Sequence, residues 1–185
     1  RLKSKFGKNL KVIKDIPVRM NPKPDKPGNG GKDDSTSQPN QQVPWGISAI
    51  QSLDAFTINK GAGAVVCVVD TGIDQDHPDL MANIVGGENF VVKKGKVNPS
   101  AWDDDNNHGT HVAGTIAALD NNIGVIGVAP EASLLGVKVL DRRGSGYTSD
   151  VAEGVRSCIR NNANIINMSL GSSQGSEILH SAIKE

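Results

Sequence analysis

Aromatic side chains are scarce in this 185-residue chain: three Phe, two Trp and one Tyr, 3% of the whole. A core must therefore come from Val, Ile, Leu and Ala, and a 37% hydrophobic content is enough for one domain. Cysteine occurs twice, at Cys67 and Cys158, in no C-x-x-C or metal-type spacing, which argues against a zinc module or a cysteine-dense scaffold. Cys67 lies in an apolar run and reads as a small buried hydrophobe. Whether the two sulfurs are bridged stays open. No run of about 18 apolar residues exists, so no membrane-spanning helix is predicted. No signal-peptide pattern is visible, and the chain begins at Arg1 without a Met, which fits an upstream segment removed or left out. Net charge is also missing, at +0. That balance hides an asymmetry. Residues 1–32 hold ten of the 20 basic residues and two acids, Asp15 and Asp25, so this arm carries +8 and the rest −8. A nucleic-acid partner is not expected, because Phe6 is the arm's one aromatic and nothing interleaves the basic residues. The acidic body is the arm's expected partner.

What is present reads as an alternating chain. Residues 9–20, "NLKVIKDIPVRM", place Leu10 and Val12, then Ile16, Val18 and Met20, at alternate positions. This predicts two short half-buried strands around Lys14-Asp15. Residues 21–42 hold four prolines, three glycines and no large apolar residue, and read as a linker. The main domain is expected from about Val43. "AVVCVVD" (64–70), "SLLGVKVL" (133–140) and "NIINMSL" (164–170) are predicted strands, the first apolar on both faces. Helices are predicted over about 108–119, over about 150–161 and from about Ser176. In the second, Asp150 and Glu153 form a capping-box pattern, and Val151, Val155, Cys158 and Ile159 its buried stripe. The third is expected to bury Ile178, Leu179, Ala182 and Ile183 and stops mid-helix at Glu185, as a chain cut short would. The alternation implies an α/β domain: three layers, a largely parallel sheet with helices on both faces.

Ligands of such sheets lie beyond the carboxyl ends of the strands. Asp70 ends the first strand, Gly144-Ser145-Gly146 follows the second, and Ser169-Leu170-Gly171 ends the third. In "DDDNNHGTHVAGTIAAL" (103–119), His108 stands where a polar loop meets a helix of small residues. A helix N-terminus favours the neutral imidazole that a general base requires. A carboxylate on its far nitrogen would fix the tautomer, and Asp70 is the candidate. His111, one turn on, reads as structural. Other chemistries fit less well. "DTG" also occurs in aspartic proteases, but they need two such aspartates and this chain has one. A metal site from Asp103, Asp105, His108 and His111 lacks the H-E-x-x-H pattern. An EF-hand starting at Asp104 meets its glycine at Gly109 but has Thr115, not Glu, at the twelfth position. "DDDNN" alone is most simply a solvated loop.

"VVDTGID" followed by "HPDL", then "NNHGTHVAGTIAAL", "GVAPEASLLGVKVL", "GSG" and "IINMSLG" resembles the subtilisin family of serine endopeptidases, in order and spacing, from about Gln41 to the end. The resemblance covers roughly the first half of such a catalytic domain. It implies that Asp70 is the triad aspartate and His108 the triad base. Gly144, Ser145 and Gly146, with Ser169, Leu170 and Gly171, would be the two segments that pair with an extended substrate. "LDNNIGV" (119–125) is similar to the family's calcium loop. The implied ligands of a structural calcium are the carbonyls of Leu119, Ile123 and Val125, the side chain of Asn121, Asp79 and Gln41.

The chain departs from the family in one respect. Neither a Gly-Thr-Ser-Met-Ala motif for the nucleophile nor an Ala-Gly-Asn motif for the oxyanion occurs. Ser145 and Ser169 occupy substrate-binding positions. The chain therefore holds an acid and a base with nothing to activate, and is expected to be inactive alone. Residues 1–20 resemble the C-terminal end of an inhibitory propeptide through "VIKDIPV". The resemblance implies a secreted, calcium-stabilised endopeptidase of broad specificity, monomeric when complete, whose partners are polypeptide substrates and its own propeptide. The alternative is a pseudoprotease or binding module on the same scaffold.

Overall fold

The structure, a computed structural model, describes residues 13–21, 39–93 and 95–185. In chain order the elements are β1 (Pro17–Met20), α1 (Trp45–Ala49), α2 (Ser52–Ala55), β2 (Val65–Asp70), β3 (Ile84–Asn89), β4 (Val92–Lys93), β5 (Lys96–Val97), α3 (His108–Ala117), β6 (Ser133–Lys138), β7 (Ser145–Tyr147), α4 (Thr148–Arg160), β8 (Ile165–Asn167), β9 (Leu170–Gly171) and α5 (Glu177–Ile183). Three sheets form. The main one is parallel, in the order β3-β6-β2-β8. Among the described residues no helix is long and apolar enough to cross a membrane.

The side-chain period of two divides the main sheet into two faces. Val66, Val68 and Leu134 point to one side and pack with Ala113 and Ala117 of α3. Cys67, Val69, Leu135 and Val137 point to the other and pack with Val151 and Cys158 of α4. Helices thus cover both faces, giving the expected three layers, and β2 is apolar from Val65 to Val69 because both its faces are buried. Small residues let α3 lie close to the sheet. A Cβ at Gly109 would collide with the carbonyl of Gly72.

Cys67 and Cys158 form a disulfide with Cα atoms 5.8 Å apart, tying β2 to α4. Their positions on a buried strand and on the facing side of a buried helix account for the pairing, which their spacing in the chain does not reveal.

Several expected elements differ in detail. The first of the two strands predicted over 9–20 falls largely outside the described residues, as does most of the linker over 21–42; the second forms as β1, with Ile16 and Val18 buried. The helix predicted over 108–119 ends at Ala117, because Leu119 donates its N–H to the Asp79 carbonyl instead. The strand predicted over 133–140 leaves the ladder after Lys138. Val139 and Leu140 then donate their N–H groups to the Asp70 carbonyl. The strand predicted over 164–170 is two strands: β8 stays in the main sheet and β9 turns away to pair with β1.

Helix α4 begins two residues before Asp150, so the Asp150–Glu153 capping box does not form. Its first turn is capped from the arm. Asp15 accepts hydrogen bonds from Ser149 N (3.0 Å), Ser149 Oγ (2.5 Å) and Thr148 Oγ1 (3.1 Å). Val151, Val155 and Cys158 are buried, but Ile159 is 43% exposed because the buried stripe runs through Ala152 instead. In α5, capped by Ser176, Ala182 is buried against Ala152 and Val155 of α4, Ile178 and Leu179 are partly buried, and Ile183 is 57% exposed. That helix packs mainly on α4, so its stripe is narrower than its apolar content suggests.

Candidate active site

Asp70 ends β2 with its side chain fully buried. His108 opens α3, and its Nδ1 lies 2.7 Å from Asp70 Oδ1. The same oxygen accepts the N–H of Thr71 at 2.7 Å. Among the described residues, no donor reaches Asp70 Oδ2. Burial pushes the Asp70 carboxyl above its ordinary value; the bonds from His108 and Thr71 oppose this, and the Asp104 carboxylate adds to it. His108 stands where the chain turns sharply: Asn107 has a left-handed backbone, φ 77°, and makes no side-chain cap. His111, read as structural, is exposed on α3 and takes no part in this contact.

Beside the pair lies Lys138, a lysine only 1% exposed. Its Nζ donates to Asp105 Oδ1 at 2.6 Å and to the Thr71 carbonyl. Burial pushes the Asp105 carboxyl up, but the bonds from Lys138 and Lys93 outweigh it and hold the group below its ordinary value. The run 103–105 is therefore not a plain solvated loop. The signal available in sequence was Lys138 at the end of a buried strand, a charge that needs a partner.

The two predicted substrate-pairing segments flank a single gap, and β1 fills it. Pro17, Val18 and Arg19 pair antiparallel with Tyr147, Gly146 and Ser145 on one side. Arg19 and Met20 pair with Gly171 and Leu170 on the other. Met20 N donates to Gly144 O at 2.9 Å, and Asn21 N donates to Ser169 O at 3.0 Å. All six residues thus line one strand-wide groove. Gly144 has φ +68° and its Cα faces the Met20 side chain, so a larger residue would be strained and would clash. Among the described residues the arm is held by strand pairing and by its own acid, Asp15; eight of its ten basic residues lie outside them. Alternation at Ile16, Val18 and Met20 was the signal for this strand, but nothing in it named the partner strands.

The six predicted calcium ligands also converge. Asp79, 3% exposed, accepts from Asn121 Nδ2 (2.8 Å) and Val125 N (3.0 Å). Asn121 Oδ1 accepts from Ile123 N (2.7 Å), and Gln41 Nε2 donates to Leu119 O (2.9 Å). Bridges Asn40–Ile123 and Gln42–Val125 lash the two segments together. Gly124 leaves the space beside the Asp79 carboxylate that a Cβ would fill. The Asp79 carboxylate, buried where these segments meet, is the kind of hard oxygen ligand a calcium ion takes, and here it is hydrogen-bonded by N–H groups.

Comparison with known proteins agrees with this geometry. The sequence profile of the subtilase family matches residues 61–185. The chain is 55% identical over 146 residues to a thermostable alkaline protease of Halalkalibacterium halodurans, covering 77% of this chain and 38% of that protein. It is 46% identical over 144 residues to an intracellular serine protease of Paenibacillus polymyxa, covering 78% and 44%. It is 49% identical over 144 residues to subtilisin E of Bacillus subtilis, covering 77% and 36%. The chain thus spans less than half the length of each of these relatives.

Proposed function

The chain belongs to the subtilase family, and we propose that the whole protein is a serine endopeptidase in which Asp70 and His108 are two members of the triad. The observation that carries this is the 2.7 Å contact between His108 Nδ1 and a wholly buried Asp70 carboxylate. With its proton held on Nδ1, the imidazole has a free lone pair on Nε2. That nitrogen takes the proton of a serine hydroxyl as it attacks the peptide carbonyl, then returns it to the leaving amine. Asp70 stabilises the imidazolium formed between these steps. The reading assigns the serine and the oxyanion donor to chain outside these 185 residues, since neither motif occurs within them.

The groove filled by β1 is the proposed substrate site. An extended peptide in place of β1 would meet main-chain donors and acceptors on both sides, which every polypeptide can satisfy. No acidic residue occurs in 144–146 or 169–171, so neither wall selects Lys or Arg. Val18 lies in the same apolar cluster as Leu140 and Val151, which points to a preference for an apolar side chain at the matching substrate position. Residues 1–20 would then be the end of a propeptide that blocks the groove in cis. Calcium, held by Gln41, Asp79, Leu119, Asn121, Ile123 and Val125, would fasten the start of the mature body to the 119–125 loop. The buried disulfide fits an oxidising, extracellular setting. The test is digestion of denatured casein by the full-length protein, with cut sites mapped by mass spectrometry. Cuts after many residue types support the reading; cuts confined to paired basic residues overturn its specificity, and no cuts overturn the activity.

A further inference from the structure

One carboxylate outside the Asp70–His108 pair reaches both of the segments that carry it. Asp104 Oδ1 accepts from Thr71 Oγ1 (2.8 Å), Asn106 N (2.9 Å) and Asn107 N (3.0 Å). Its Oδ2 accepts from Thr110 N (3.0 Å) and Thr110 Oγ1 (2.6 Å). These bonds outweigh the upward push of burial and hold the Asp104 carboxyl below its ordinary value, so it is an anion. Five donors on one ionised group are strong, directional restraints.

Their placement is what matters. Asn106, Asn107 and Thr110 bracket His108. Asn107 makes no cap of its own, so Asp104 supplies the acceptor that the first turn of α3 lacks, with the charge sign the helix end favours. Thr71 follows Asp70. It gives its hydroxyl proton to Asp104, accepts Gly109 N at 2.9 Å, and gives its own N–H to the Asp70 oxygen that faces His108. One carboxylate thus binds the end of β2 and the start of α3, 33 to 38 residues apart in sequence, into a single unit.

We propose that Asp104, acting through Thr71 and the first turn of α3, is a positioning residue that sets the geometry of the Asp70–His108 pair. The proposal rests on the serine endopeptidase reading for its kinetic consequences, but the geometric claim does not need the serine. A general base must hold its lone pair on the reacting proton, and displacement by about 1 Å costs on the order of 100-fold.

The test uses the full-length protein and the variants Asp104→Ala, Asp104→Asn, Thr71→Val, Thr71→Ser and Asp104→Ala/Thr71→Val, with Asp103→Ala as a neighbouring acid. Measurements are made well below each melting temperature. Asp104→Ala should lower kcat about 100-fold while KM changes less than about threefold. Asp104→Asn keeps the acceptor for Thr71, Asn106 and Asn107 but turns an amide toward Thr110 N; its loss should be intermediate, and it serves if the alanine variant does not fold. Thr71→Val should lower kcat, Thr71→Ser should restore it, and the double variant should be no worse than Asp104→Ala alone, because both act on one unit. Asp103→Ala should match the parent. The proton on His108 Nδ1, read by NMR, should broaden or vanish in Asp104→Ala. Folded Asp104 variants with parental kcat, or additive losses in the double variant, would overturn the proposal. If the parent hydrolyses nothing, the endopeptidase reading fails on its own. The Nδ1 proton then decides the geometric claim, and an unchanged signal in Asp104→Ala overturns it.

Discussion

Val18→Ala tests whether the arm competes with substrate. Val18 is 1% exposed, within the same cluster as Leu140 and Val151. The change removes two buried carbons at about 0.8 kcal/mol each and leaves a small cavity, so docking of the arm should weaken by about 2 kcal/mol. That is roughly a 30-fold change in the docking equilibrium. The backbone pairs with β7 and β9 are untouched, so the loss can be assigned to the side chain. On the proposed reading, the docked arm of the unprocessed full-length protein competes within the molecule, and a short chromogenic peptide would see an apparent KM raised by that equilibrium. Val18→Ala should therefore lower the apparent KM by up to about 30-fold and leave kcat within about twofold. Asp15→Ala, which removes the cap on α4, should act in the same direction by about 1 kcal/mol, or roughly fivefold. A lower melting temperature with unchanged KM in both variants would show that the arm is only packing and does not exclude substrate.

The disulfide closes a sequence separation of 91 residues. Loop entropy gives it about 4.6 kcal/mol of stability, so reduction should move the urea midpoint sharply; two thiols titrating in the unreduced native protein would refute the link. Asp150 has its carboxyl raised to about 6, by burial and then by the Asp15 charge, while Asp15 is held low. The raised carboxyl stabilises the folded state while protonated, and the share of the rise that comes from Asp15 does so for the docked arm; both contributions are lost as pH rises from about 4 to about 6. Arm docking should weaken across that window, and apparent KM should fall; Asp150→Asn should flatten the profile, and an unchanged profile in that variant would sink the assignment. Calcium at a hundredfold excess over Kd should stabilise the full-length protein by about 2.7 kcal/mol, and Asp79→Ala should remove most of the shift. A melting temperature indifferent to chelator would mean that the 119–125 loop is only a turn.

The layers of the fold were legible because β2 and β6 are apolar on both faces, and short apolar runs between helical stripes leave few alternatives. The pairing of Asp70 with His108 could be anticipated because one ends a buried strand and the other opens a helix of small residues. Asp104 was hidden among three aspartates whose spacing looks solvated. Only the fold shows that the middle one turns inward beneath Thr71 and Thr110. The cap on α4 was misread because the true cap, Asp15, lies 134 residues from Ser149. Local patterns carry no information about partners that distant. The same reason hid the docking of β1: its alternation announced a strand, and its partners lie more than 120 residues away.

The central claim is that the buried contact between Asp70 and His108 is the acid–base pair of a serine endopeptidase. The most direct measurement is kcat of the full-length protein against kcat of Asp70→Asn, with both shown to be folded. The account predicts a fall of about 10⁴, the scale known for triads that lose the carboxylate fixing their histidine. A fall of about tenfold or less would contradict it and place the base elsewhere.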